Sequence, residues 1–148
     1  MKRIRKFLAL SSLEKRIVIT AAFILPACAV GLRTVGFRRT QEHMLRGQTN
    51  FSIPLASKDL LLAQGISHAV EIAAVHGPYR ATCLTRSLVL VWLLSKHGIL
   101  SEIKIGATVA EGDFSAHAWV VSGDVVLNDT PEVTDRFGAF EPAFKNSA

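Results

Sequence analysis

Thr82-Cys83-Leu84-Thr85-Arg86-Ser87-Leu88-Val89-Leu90-Val91-Trp92-Leu93-Leu94-Ser95-Lys96-His97-Gly98 is an apolar run with punctuation at both ends. Thr82 or Cys83 starts a helix, and Gly98 is placed to cap it after His97. Between them the apolar residues cover almost the whole circumference, which predicts a helix buried on most sides. A cysteine therefore sits in the first turn of the central helix.

Working backward, Gly77-Pro78 ends a preceding helix and Tyr79-Arg80-Ala81 connects the two. That helix runs from Lys58, with Ser57 as its cap, to about His76. Its apolar positions Leu61, Leu62, Ala69, Ile72 and Ala73 recur at helical spacing. Residues 47–57 are rich in turn formers and read as a linker. Further upstream lies an amphipathic start around Ile4–Leu10, then a main helix over Lys15–Leu32 with Ser12 as N-cap. Ser11 and Glu14 also fit the S-x-x-E pattern.

Working forward, three strands follow. Glu102–Val109 alternates, with Ile103, Ile105, Ala107 and Val109 directed inward. Glu111-Gly112-Asp113 turns, Phe114–Val121 forms the second strand, and Val125–Asn128 forms the third after Ser122-Gly123-Asp124. The tail from Pro131 is loop-like, with Phe137, Phe140 and Phe144 available to pack back. The expected architecture is α+β: a central Cys-bearing helix on a small antiparallel sheet, preceded by a helical N-terminal region. It divides into residues 1–50 and a core over 51–148, within one compact domain.

Composition bounds the function classes. At 148 residues, with 49% apolar and 20% charged, the chain can bury a core without staples. Its only cysteines, Cys28 and Cys83, make a disulfide framework implausible and suit a reducing cytoplasm. The net charge of +5 is concentrated at the front: residues 1–50 hold ten Lys/Arg against Glu14 and Glu42. Such a front end suits an acidic partner or an anionic membrane surface, or is a solvated face. No zinc-finger spacing or RNA-binding signature occurs, so nucleic acid is not expected. The run Ile17–Leu32 imitates a signal peptide, and Leu25-Pro26-Ala27-Cys28 imitates a lipoprotein cleavage site. Pro26 beside the site and Glu14 in the lead-in argue against export. The run is also short for about 30 Å of hydrocarbon. A buried helix kinked at Pro26 is expected, with peripheral membrane contact left open.

Three residues carry candidate chemistry. A thiol in the first turn of a helix sees the positive end of the macrodipole, which favours thiolate, and unpaired N–H groups that stabilise an oxyanion. His117 lies in Phe114-Ser115-Ala116-His117-Ala118-Trp119-Val120, sharing a strand face with Ser115, Trp119 and Val121. Asp129 follows twelve residues later. If Ser122-Gly123-Asp124 is a three-residue loop, His117 pairs with Asp129, and the carboxylate can orient the imidazole. A two-residue loop sends Asp129 to the other face. Asn128-Asp129-Thr130-Pro131 also reads as a plain turn. Arg86 is a substrate anchor or the ion-pair partner of Glu71 or Asp113, and Trp119 shields the site or packs in the core. Cys28 reads as packing. His43, His68, His76 and His97 have no ligand spacing, so neither metal nor cofactor is expected.

In combination, Cys83-Leu84-Thr85-Arg86-Ser87-Leu88, Trp92-Leu93-Leu94, Gly98, Phe114 to Val120 and Asn128-Asp129 resemble the lasso peptide biosynthesis B2 proteins. These are transglutaminase-like cysteine peptidases with a papain-like core. The resemblance covers most of the chain. It implies Cys83 as nucleophile, His117 as general base and Asp129 as orienting acid, in an enzyme that removes the leader from a ribosomally made precursor peptide. The alternative readings are acyl transfer to an amine by the same triad and a non-catalytic precursor-binding module of the same fold. The implied partners are that precursor, a separate leader-recognition B1 protein and an ATP-using lasso cyclase. The first 50 residues read as helix, without the strand pairs of a recognition domain, so a stand-alone peptidase is expected. Val121 departs from the acidic residue that many relatives carry there. Tyr79 and Gln64 are the candidates for a second oxyanion donor.

Overall fold

The computed structural model describes residues 10–46, 57–110 and 113–139. The elements in chain order are α1 (Ser12–Thr34), α2 (Phe37–Leu45), α3 (Ser57–His76), α4 (Cys83–Lys96), β1 (Glu102–Ala110), β2 (Asp113–Ser122), β3 (Val125–Val126), α5 (Val133–Arg136) and β4 (Gly138–Ala139). The expected α+β architecture is present. The amphipathic start before residue 10, most of the 47–57 linker, Glu111-Gly112, Phe140 and Phe144 lie outside the described residues.

α1 begins at Ser12 rather than Lys15, and its cap is Ser11, one residue before the expected Ser12. The Ser11 hydroxyl accepts from the Glu14 N–H, and the Glu14 carboxylate accepts from the Ser11 N–H at 2.8 Å. The Ser11 hydroxyl donates to the same carboxylate at 2.7 Å, and this bond, with the one from the Ser11 N–H, holds the exposed Glu14 carboxyl below its ordinary pKa. The helix continues through Pro26. By length and composition α1 could cross a bilayer. One face is nevertheless built into the core: Ile17, Val18, Ala21, Leu25 and Cys28 pack with residues of α3 and α4. Ile19, Phe23 and Val30 stand outward. α2 was not anticipated. It is set off from α1 by Gly36, and its buried Thr40 donates to the Gly36 carbonyl at 2.7 Å.

On α3 the buried stripe is Ala63, Ile66, Ala69, Val70, Ala73 and Ala74, while Leu61 is exposed. Size misled the periodicity: small alanines allow helices to approach closely, so they face the core and a leucine does not. α4 is the expected central helix, with Leu88, Val89, Leu90 and Leu94 fully buried. Each such side chain contributes about 1.5–3 kcal/mol of burial.

Among the described residues the sheet has four strands in the order β3-β2-β1-β4, not three, because the tail returns as α5 and β4 along β1. β2 divides two cores. Val120 joins the helical core, whereas Trp119 and Val121 pack with Val133 and Phe137 on the other face. This matches the expected division of the strand's faces. The outer end of the β1–β2 hairpin differs from expectation: Val109 and its cross-strand partner Phe114 are exposed.

One register expectation fails. Val121 pairs with Val126 and Ser122 with Val125, so the loop is the two residues Gly123-Asp124. Gly123 has φ +58°, the left-handed conformation that starts a tight hairpin turn, and Ser122 is thereby a ladder residue. β3 also ends at Val126 rather than Asn128.

Candidate functional site

The site begins at the N-terminus of α4. Thr82 is the cap: its hydroxyl accepts from the Thr85 N–H at 3.3 Å, and its carbonyl accepts from the Arg86 N–H at 3.0 Å. Cys83 is therefore the first helical residue and is partly exposed, with its own N–H among those that no helical carbonyl reaches. The position suits a nucleophile, because the N–H groups and the dipole both act on negative charge there.

His117 stands on β2 where the strand leaves the core. Its ring leans on Phe137, with centroids 5.0 Å apart, and lies nearly parallel to Trp119 at 6.2 Å. Opposite it on β1 is Gly106. A Cβ on Gly106 would meet the Gly138 carbonyl oxygen at 2.9 Å and both the Phe137 Cβ and the Trp119 ring at 3.0 Å. Glycine there lets β4 and both aromatic rings close against the sheet beneath the imidazole.

The structure brings His117 and Asp129 together: Nε2 lies 2.5 Å from Oδ2. The second carboxylate oxygen, Oδ1, accepts from the Thr130 N–H at 2.7 Å. With the carboxylate ionised, Nε2 carries the ring proton and Nδ1 keeps a lone pair. The hairpin arithmetic behind this pairing is corrected by the two-residue loop, which alone would turn Asp129 away. Contact survives because the chain leaves the ladder after Val126 and bends through Leu127–Asp129.

Cys83, His117 and Asp129 line one cavity of about 260 Å³, together with Asn128, Arg86 and, from α3, Ser67 and Glu71. Arg86 resolves to the ion-pair reading: Nη1 lies 3.0 and 3.1 Å from the two Glu71 oxygens, and Nε donates to the Ala81 carbonyl. It is committed to the cavity wall rather than free to anchor substrate. Trp119 is fully buried and packs in the core. Tyr79 and Gln64 do not line the cavity, so neither is placed as an oxyanion donor. Cys28 is buried away from it, and burial pushes its thiol up to about 11.

Three polar residues, Ser67 and Asn128 on the cavity and Ser87 beside it, have bonding roles that sequence reasoning missed. Ser67 donates to the Leu127 carbonyl at 2.8 Å, and Ser87 donates to the Ala118 carbonyl at 3.1 Å. The Asn128 side chain accepts from the Val120 N–H at 2.7 Å and donates to Ser87 Oγ at 3.1 Å. A signal existed: both serines occupy buried positions on otherwise apolar helix faces, where a lone hydroxyl needs a partner.

No curated protein and no solved structure matches the chain. The family model for the transglutaminase-like superfamily matches residues 22–141, which include α3, α4, the sheet and all three residues of the cavity named first. A helix-start cysteine, a strand histidine and a carboxylate around one cavity, in a chain matched over most of its length, belong to one family: this protein is a member of the transglutaminase-like superfamily.

Proposed function

We propose that this protein is a cytoplasmic cysteine peptidase that removes the leader from a ribosomally made lasso peptide precursor. The observation that carries the proposal is the His117–Asp129 pair opening on the cavity that Cys83 lines at the start of α4. The superfamily includes both peptidases and acyltransferases, and the lasso assignment rests on the motif resemblance.

In this reading Nδ1 of His117 takes the Cys83 Sγ proton, and the thiolate attacks the carbonyl carbon at the leader–core junction. The oxyanion is met by N–H groups at the start of α4. As the C–N bond breaks, the imidazolium returns its proton to the departing amine, the new amino terminus of the core peptide. The leader remains as a thioester on Cys83. His117 then deprotonates a water that attacks this thioester, releasing the leader as a carboxylic acid and regenerating the thiol. Asp129 holds the imidazole orientation throughout and stabilises its charged form. A separate recognition protein presents the leader, and the cyclase consumes the freed core.

The test is leader removal by purified protein supplied with precursor and recognition partner, followed by intact mass. Cys83→Ala and His117→Ala should each abolish it, by about a thousandfold or more. Retained cleavage in either variant ends the proposal. A primary amine in the mixture separates the two chemistries of the superfamily: hydrolysis yields leader acid, whereas acyl transfer yields leader amide.

A further inference from the structure

The pairing of β2 with β3 contains a substitution of one hydrogen bond by another, and that exchange decides where Asp129 goes. Continued in register from Val121↔Val126, the ladder would set Leu127 opposite Val120 and Asp129 opposite Ala118. Directly opposed residues share a face. Asp129 would then lie on the face of Ala118 and Val120, against the helices, and away from His117.

Val120 and Leu127 should exchange two backbone bonds, and they exchange one. The Leu127 N–H donates to the Val120 carbonyl at 2.9 Å. The reciprocal donor, the Val120 N–H, is taken at 2.7 Å by the Asn128 side-chain oxygen. The released Leu127 carbonyl is taken by Ser67 of α3 at 2.8 Å. The Asn128 amide in turn donates to Ser87 of α4, which donates to the Ala118 carbonyl. Both groups freed at the Val120–Leu127 pair are thus satisfied, the Val120 N–H by Asn128 and the Leu127 carbonyl by Ser67 of α3.

We propose that Asn128 is a positioning residue, which with Ser67 and Ser87 replaces one β2–β3 ladder bond and so swings Asp129 onto Nε2 of His117. The residue type fits the task, since a carboxamide accepts from Val120 through its oxygen and donates to Ser87 through its nitrogen. An apolar side chain there leaves the Val120 N–H unpaired and favours the ordinary ladder. The functional weight of this device rests on the reading of Cys83, His117 and Asp129 as the catalytic set. Its geometry does not.

The decisive readout is the low-field proton NMR signal of the His117 Nε2–H bound to carboxylate, assigned by its loss in His117→Ala. Asn128→Ala should lose that signal or shift it upfield, and Ser67→Ala should shift it less. In the leader-removal assay Asn128→Ala should lower kcat about ten- to a hundredfold with little change in KM. Added to Asp129→Ala, it should cost less than about a further twofold, because both act through one carboxylate. A wild-type protein without the signal, an unchanged signal in Asn128→Ala, or losses that multiply in the double variant would overturn the proposal. If Asn128→Ala does not fold, Ser67→Ala decides: a signal identical to wild type refutes the device. Loss of the signal in a protein that never cleaves precursor would refute the proposed function and leave the positioning role standing.

Discussion

The two cysteines have one chemistry and opposite surroundings. Cys28 lies on the inward face of α1 and has no use in the mechanism, while Cys83 opens on the cavity. Burial raises the Cys28 thiol to about 11 from an ordinary value of 9.0. The sign of the linkage follows: the folded state holds this proton more tightly than the unfolded state. The contribution is therefore complete below about pH 9 and is lost as pH rises toward about 11. Urea unfolding should show wild type losing stability over that window more steeply than Cys28→Ala. Parallel pH dependence in the two proteins would contradict the burial of Cys28.

At the scale of elements, the helices and the faces of β2 were legible because their signals are local. Thr82 and Gly98 bracket α4, and strict alternation separates Ala118 and Val120 from Trp119 and Val121. The failures are matters of tertiary context. Ser122-Gly123-Asp124 is compatible with either loop length, and only the φ of Gly123 selects the shorter one. β4 has two residues and exists because β1 offers an edge, so no periodicity announces it. Asp129 was identified from an incorrect register, and its contact with His117 depends on Asn128 and two distant serines. Gly106 was not singled out either, although a side chain there has no space. Gly106→Ala must push back the Gly138 carbonyl and the Phe137 Cβ, neither of which can rotate away. It should cost roughly 1–3 kcal/mol in urea unfolding. An unchanged midpoint would mean that β4 is not held against β1.

For the whole molecule, the architecture serves one convergence. α4 carries Cys83 to the cavity, β2 carries His117, and the bend after β3 carries Asp129, from positions spread over nearly fifty residues of chain. α1 and α3 pack against α4, which presents Cys83, Arg86 and Leu90 to the cavity. The thiol and imidazole can be tested without any substrate, by the rate of iodoacetamide alkylation at Cys83, read by peptide mass at neutral pH. Cys83 should label in the native protein well before Cys28, and His117→Ala should slow it roughly tenfold. Equal rates in wild type and His117→Ala, or a Cys83 that labels only after unfolding, would contradict the convergence on which the proposed chemistry depends.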